Sequence, residues 1–198
     1  FAEGGHTIVL IGEEGHDETV GTMGWAGENV HLIQTLEEVA TLEVPKDRPL
    51  AYITQTTLSV DDCKEIIDAL KARFPDIQGP KKEDICYATS NRQAAINALT
   101  PKVDLVLVGG DPESANSTRL ADIARSKGKP AYLIPDASRI EAAWLEGVQT
   151  ILLSSGASVP ETLVQGVIAY LRSLGPCEVE EEVLIEEDTR FRLPPVIA

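Results

Sequence analysis

The chain has 198 residues, 43% hydrophobic and 25% charged, the balance expected of a globular protein with one large or two small domains. Thirty-two acidic residues against 17 basic ones leave a net charge of −15. No basic surface able to neutralise phosphate backbones or an anionic membrane can be built from that set, so nucleic acid and membrane are not expected as partners. No apolar run approaches the roughly 20 residues of a transmembrane helix, and no basic-then-apolar signal opens the chain. A cytoplasmic setting is therefore expected. Three cysteines, Cys63, Cys86 and Cys177, form no CxxC pair, which argues against a disulfide framework or a self-contained zinc site. Seven acids crowd between Glu178 and Asp188, the pattern of a solvated tail. The chain opens on Phe1 and its single methionine is Met23, so it is expected to be part of a longer protein.

From Thr7 to about Gly175, short apolar runs alternate with segments of helical period, the signature of an α/β protein with mostly parallel sheets. In chain order the predicted strands are Thr7–Ile11, His31–Ile33, Leu50–Thr54, Leu105–Val108, Ala131–Ile134 and Thr150–Leu153. The predicted helices are Asp61–Phe74, Arg92–Leu99, Ser117–Lys127, Ile140–Leu145 and Glu161–Leu174. Gly128, Gly147 and Gly175 stand where residues just past a helix end should be glycine.

The two halves follow the same order. Thr-Ile-Val-Leu-Ile-Gly at 7–12 and Leu-Val-Leu-Val-Gly-Gly at 105–110 each open a strand ending in glycine. A polar loop, a short strand, a short acidic helix, a third strand and a long helix follow in both. Ser59 and Ser158 then fall at equivalent places, 99 positions apart. This predicts two similar three-layer α/β domains, 1–82 and 83–175, joined near Gly79-Pro80-Lys81-Lys82, with 176–198 as an acidic tail.

In open α/β sheets, ligands bind beyond the carboxyl ends of the strands, where helix N-termini offer unpaired N–H groups to anions. Four polar loops occupy such ends: Gly15-His16-Asp17-Glu18, Thr54-Gln55-Thr56-Thr57, Ser114-Ala115-Asn116-Ser117 and Ser155-Gly156-Ala157-Ser158. They are rich in hydroxyls, amides and glycine and nearly free of lysine and arginine, which suits a phosphorylated ligand held by neutral donors. Ser59-Val-Asp-Asp62 and Ser158-Val-Pro-Glu161 equally fit helix caps. His16 and Glu18 can bring an imidazole and a carboxyl to one cavity. Zinc deaminase chemistry is excluded, because Pro176-Cys177 is not followed by a second cysteine. Cys63 sits inside an amphipathic helix and Cys177 in the tail, whereas Cys86 stands at the domain junction before a polar run. The residues alone thus point to a two-domain, phosphate-binding α/β protein, and a non-catalytic module for a phosphorylated metabolite remains an alternative.

Five motifs taken in order carry a resemblance: Gly15-His16-Asp-Glu18-x-x-Gly-Thr-Met-Gly24, Thr54-Gln-Thr-Thr57-Leu-Ser-Val-Asp-Asp62, Asp84-Ile-Cys86-Tyr-Ala-Thr-x-Asn91-Arg-Gln93, Ser114-x-Asn116-Ser-x-Arg-Leu120 and Gly156-Ala-Ser158. Together they closely resemble the IspH/LytB family of 4-hydroxy-3-methylbut-2-enyl diphosphate reductases of the non-mevalonate isoprenoid pathway. The resemblance implies three similar α/β domains around a central 4Fe-4S cluster held by one cysteine from each, this chain corresponding to the second and third. It implies reductive dehydroxylation of the prenyl diphosphate substrate to isopentenyl and dimethylallyl diphosphates, with electrons from a ferredoxin or flavodoxin. By position, Cys86 would be a cluster ligand, Glu18 the proton donor and Thr56 part of the relay around the substrate hydroxyl. His16, Ser114, Asn116 and Ser158 would hold the diphosphate, with Thr56 also at the substrate. The cluster would be complete only with two cysteines absent from this chain, so the 198 residues alone are expected to be inactive. Ala115 departs from the family, many members having a second serine there.

Overall fold

In the computed structural model, residues 1–81 and 84–186 are described, so the expected boundary at 82/83 and the last part of the tail lie outside the described residues. Two three-stranded, wholly parallel sheets carry the fold. The first has the order β2-β1-β3, with β1 at Thr7–Ile11, β2 at Val30–Ile33 and β3 at Leu50–Thr54. Ile8 pairs with Val30 on one side and Ala51 on the other. The second repeats the arrangement as β5-β4-β6, with β4 at Leu105–Gly109, β5 at Ala131–Ile134 and β6 at Ile151–Ser155. Every residue of the two central strands is buried, which is why β1 and β4 read as unbroken apolar runs rather than alternating ones.

Among the described residues six α-helices accompany the strands, α6 following the last of them: α1 (Asp17–Ala26), α2 (Leu36–Thr41), α3 (Val60–Arg73), α4 (Tyr87–Leu99), α5 (Ala115–Ser126) and α6 (Glu161–Leu174). The long α3 starts at Ser59, whose hydroxyl accepts from the Asp62 N–H at 3.2 Å, with acids in its first turn and Lys71 and Arg73 in its last. Its Cys63, Ile66 and Leu70 pack with Val39 of α2 against Val9, Ile11, Ile33 and Tyr52 of the first sheet. In the second sheet, α4 and α5 cover Val106 and Val108 on one face, while Val167 of α6 and Ile140 cover Leu105 and Leu107 on the other. That is a three-layer packing.

Four expectations need correction. The segment 17–26 is helical, although it buries only Thr19 and so carries no apolar stripe for periodicity to detect. The expected helix at Ile140–Leu145 is instead a pair of 3-10 turns, Ala137–Arg139 and Ala142–Leu145, around the buried Ile140. Gly128 and Gly147 do take positive φ angles of 76° and 74°, but Gly175 is extended at φ 165°. The offset of 99 is also wrong. β3 ends at Thr54 and β6 at Ser155, and α3 and α6 begin at Val60 and Glu161, so the third units stand 101 apart. Ser158 therefore matches Thr57, and the partner of Ser59 is Pro160, which caps α6 without a side-chain hydrogen bond.

Candidate active site

Both central strands end in a glycine turn that leads into a helix, and the site is built on those turns. A β-carbon on Gly12 would lie 2.9 Å from the Thr19 hydroxyl and 3.2 Å from the Gln55 side-chain oxygen, so only glycine lets the β1–α1 loop approach so closely. His16 caps α1: its Nδ1 accepts from the Glu18 N–H at 3.2 Å, which in the neutral ring leaves the proton on Nε2. Glu18, the second residue of α1, is met by the β3–α3 loop. Thr56 donates its backbone N–H to Oε1 and its hydroxyl to Oε2, each at 3.0 Å. The Thr56 carbonyl in turn accepts the N–H of Cys86 at 3.2 Å. His16, Glu18, Thr56 and Cys86 are thereby joined in one chain of hydrogen bonds.

Cys86 is the N-cap of α4, its side chain exposed and making no capping bond while its carbonyl accepts from Thr89 and Ser90. Two residues earlier, Asp84 accepts the Thr54 N–H at 3.0 Å. Burial pushes its carboxyl above the ordinary value, the Thr54 bond opposes that rise, and the nearby Glu18 charge adds to it. Cys63 is buried, and desolvation raises its thiol to about 11.

In the second half, Ser114 caps α5, accepting from the Ser117 N–H and the Ser117 hydroxyl at 3.4 and 3.1 Å. Asn116, buried, has a side-chain oxygen with no hydrogen-bond partner. Its amide nitrogen lies beside Gly156, where a β-carbon would also overlap the Ser117 hydroxyl. Ser158 is exposed two residues beyond Gly156 and caps nothing.

Side chains that sequence reasoning left without a role tie the halves together. Arg119, one turn past Asn116, donates to Glu13 of the β1–α1 loop at 3.0 Å and lies 3.7 Å from Asp62. Gln93 of α4 donates to the Leu58 carbonyl and accepts from the Val60 N–H, while Arg92 donates to the Ser155 carbonyl. The motif Asn91-Arg-Gln93 thus grips both loop systems from one helix, a function its spacing alone does not reveal. A cavity of about 290 Å³ between Gly12, Glu13, Gln34, Asp62 and Arg119 opens at this end of the first sheet. A larger one, about 800 Å³, lies at the opposite end, against Leu50, Arg73 and Phe74, remote from Glu18. Among the described residues no three metal-ligating side chains cluster, and no helix is long and apolar enough to cross a membrane.

The family model for LytB protein matches residues 1–172. The chain belongs to the LytB family. It is 51% identical over 193 residues to the 4-hydroxy-3-methylbut-2-enyl diphosphate reductase of Zymomonas mobilis, covering 98% of this chain and 57% of that protein. It is 50% identical over 198 residues to the enzyme of the same name from Pseudomonas aeruginosa, of which it covers 63%. The solved structure of the E-1-hydroxy-2-methyl-but-2-enyl-4-diphosphate reductase of Plasmodium falciparum superposes with a TM-score of 0.88 at 33% identity, over 99% of this chain and 62% of that one. This LytB chain therefore spans about three fifths of the length of these relatives.

Proposed function

We propose that the chain supplies the proton-delivering and diphosphate-holding parts of a 4-hydroxy-3-methylbut-2-enyl diphosphate reductase, its two sheets being the second and third of the family's three domains. The reaction breaks the allylic C–O bond of the (E)-4-hydroxy substrate, forms a C–H bond and releases water, consuming two electrons and two protons. The observation that carries this reading is the hydrogen-bonded chain from the Glu18 carboxylate through Thr56 to the backbone of Cys86.

Cys86 fits one ligand position of a 4Fe-4S cluster: its thiol is exposed, engaged in no capping bond, and placed at the N-terminus of α4. It cannot complete a site alone, and two cysteines from outside this chain would be needed; the buried Cys63 is unsuited. When bound, the cluster supplies the two electrons, passed on from a ferredoxin or flavodoxin. Glu18 takes up a proton from outside the site and then delivers it to the departing oxygen, the Thr56 hydroxyl turning to accept from the protonated carboxyl and donate to that oxygen. Thr56 spends its hydroxyl proton on Glu18, so its lone pairs remain open to accept the substrate hydroxyl. His16 offers Nε2–H to the diphosphate. Ser114, accepting two bonds from Ser117, keeps its own O–H to donate, and the Asn116 amide and Ser158 hydroxyl add further donors at the start of α5 and before α6. Ala115 contributes no hydroxyl there.

The test is anaerobic reconstitution of the complete protein with assay of iron, sulfide and turnover. Cys86→Ser should lose iron and sulfide together with activity, whereas Glu18→Gln should retain both and lose about 10²- to 10⁴-fold in rate. Full cluster content and turnover in Cys86→Ser would refute the ligand assignment.

A further inference from the structure

Gln55 is 1% exposed, and its side chain engages three partners from different parts of the chain. Its oxygen accepts the Glu13 N–H at 2.8 Å and the Thr19 hydroxyl at 3.2 Å, while its amide nitrogen donates to the Thr57 hydroxyl at 2.9 Å. Its own N–H donates to the Ile11 carbonyl at the end of β1. Glu13 and Thr19 flank the loop and helix turn that carry Glu18, and Thr57 follows Thr56. The Gln55 contact with Thr19 and the Thr56 contact with Glu18 are therefore adjacent rungs between the same two segments.

We propose that Gln55 is a positioning residue that sets the register of α1 against the β3–α3 loop and so fixes the paired bonds from Thr56 to Glu18. This rests on the role proposed for Glu18. The second half supports it by contrast. Gly156 matches Gln55, since its N–H donates to the Gly109 carbonyl as that of Gln55 does to Ile11, and the Ser117 hydroxyl lies where a side chain would go. With no brace there, the side-chain oxygen of Asn116, which matches Glu18, has no protein partner. The same framework thus holds a clamped carboxylate in one half and an open amide in the other.

The experiment compares Gln55→Leu and the near-isosteric Thr19→Val in the complete reductase, each alone and combined with Glu18→Gln. Each single variant should lower kcat, Gln55→Leu by about tenfold to a hundredfold, while KM and the calorimetric affinity for inorganic pyrophosphate stay within about threefold, because a small misplacement of a reacting group costs rate rather than binding. In the Glu18→Gln background both should be almost silent, and amide exchange at Thr56 should quicken in the Gln55 variant. A loss that is undiminished in the Glu18→Gln background, or a parallel loss of pyrophosphate binding, would overturn the positioning role and leave a merely structural residue. Should Glu18→Gln itself turn over normally, the proton-donor reading fails. Should Glu18→Gln be inactive and both brace variants normal, only the present inference fails.

Discussion

Glu18 and Asn116 occupy the same place in the two halves, each the second residue of the helix that follows its central strand and two residues past a capping side chain, His16 or Ser114. The carboxylate of Glu18 is satisfied by Thr56, while the side-chain oxygen of Asn116 has no protein partner. One framework with two different side chains thus separates an acid from a neutral amide. The amide suits an anion, because it can donate without adding negative charge.

That difference predicts a loss of both stability and binding for Asn116→Asp. Asn116 is buried and its side-chain oxygen has no hydrogen-bond partner, so a carboxylate there loses more by desolvation than the helix dipole at the start of α5 returns, about 0.3–1 kcal/mol. Against a bound diphosphate, the same charge is repelled. Pyrophosphate affinity, read by calorimetry, should fall by about tenfold or more, and the unfolding midpoint should fall as well. Unchanged affinity would place the anion elsewhere. In the isolated 198 residues pyrophosphate should bind weakly, since only part of the proposed site is present to hold and orient it, and Asn116→Ala with Ser158→Ala should remove what remains.

Arg119 makes the ion pair between the halves with Glu13, but its side chain is 27% exposed, and those of Glu13 and Asp62 are 44% and 70% exposed. Solvent screens such pairs. Arg119→Met is expected to cost at most about 1 kcal/mol in urea unfolding, and the loss should shrink further at high salt. A cost several times larger would mean that the guanidinium is desolvated on binding its partners.

The strands and the site loops were legible in the sequence because both are written locally. Val106 and Val108 lie in an apolar run, and Gly12, His16 and Glu18 lie within seven residues of one another. What escaped depends on distant partners. Nothing near Gln55 announces that it will meet Thr19, 36 positions away, and Arg119 reaches Glu13 across 106. Helix α1 escaped for another reason: Gly21 and Gly24 interrupt it, and its stability comes from a cap and acidic first turn rather than an apolar face. The misplaced equivalence of Ser59 and Ser158 came from matching residue types, when the hydrogen bonds from Gln55 to Ile11 and from Gly156 to Gly109 set the true register.

The three cysteines should separate cleanly by reactivity. Cys86 and Cys177 are exposed, whereas Cys63 is 2% exposed with its thiol pushed up to about 11, so almost none of it is thiolate at pH 8. Iodoacetamide treatment of the native, metal-free protein, read by peptide mass spectrometry, should modify the first two and spare Cys63 until denaturant is added. Labelling of Cys63 at a comparable rate would show that the packing of α3 on the first sheet opens readily.

Around Gly156 the second half is closely packed. Gly156 touches the Ser117 hydroxyl so closely that any β-carbon there would overlap it, and Ser117 is 1% exposed with no room to retreat. Gly156→Ala should therefore destabilise the fold by about 1–3 kcal/mol, the cost of overpacking a closed interior. It should also push the Ser117 hydroxyl away from Ser114, breaking the bond that orients the Ser114 hydroxyl with its own proton turned away to donate. Removing the offending oxygen should relieve the clash, because the Ser117 β-carbon itself stands 3.4 Å from the added methyl, a tight contact but one that a small shift can absorb. Gly156→Ala with Ser117→Ala is thus expected to recover most of the stability lost in the single variant, measured by thermal unfolding, yet not the pyrophosphate affinity, since Ser114 has lost the hydroxyl that orients it and keeps only the Ser117 N–H. Recovery of both would show that the Ser117 hydroxyl only fills space. Failure to recover stability would mean that Gly156 is required by its backbone rather than by its neighbour.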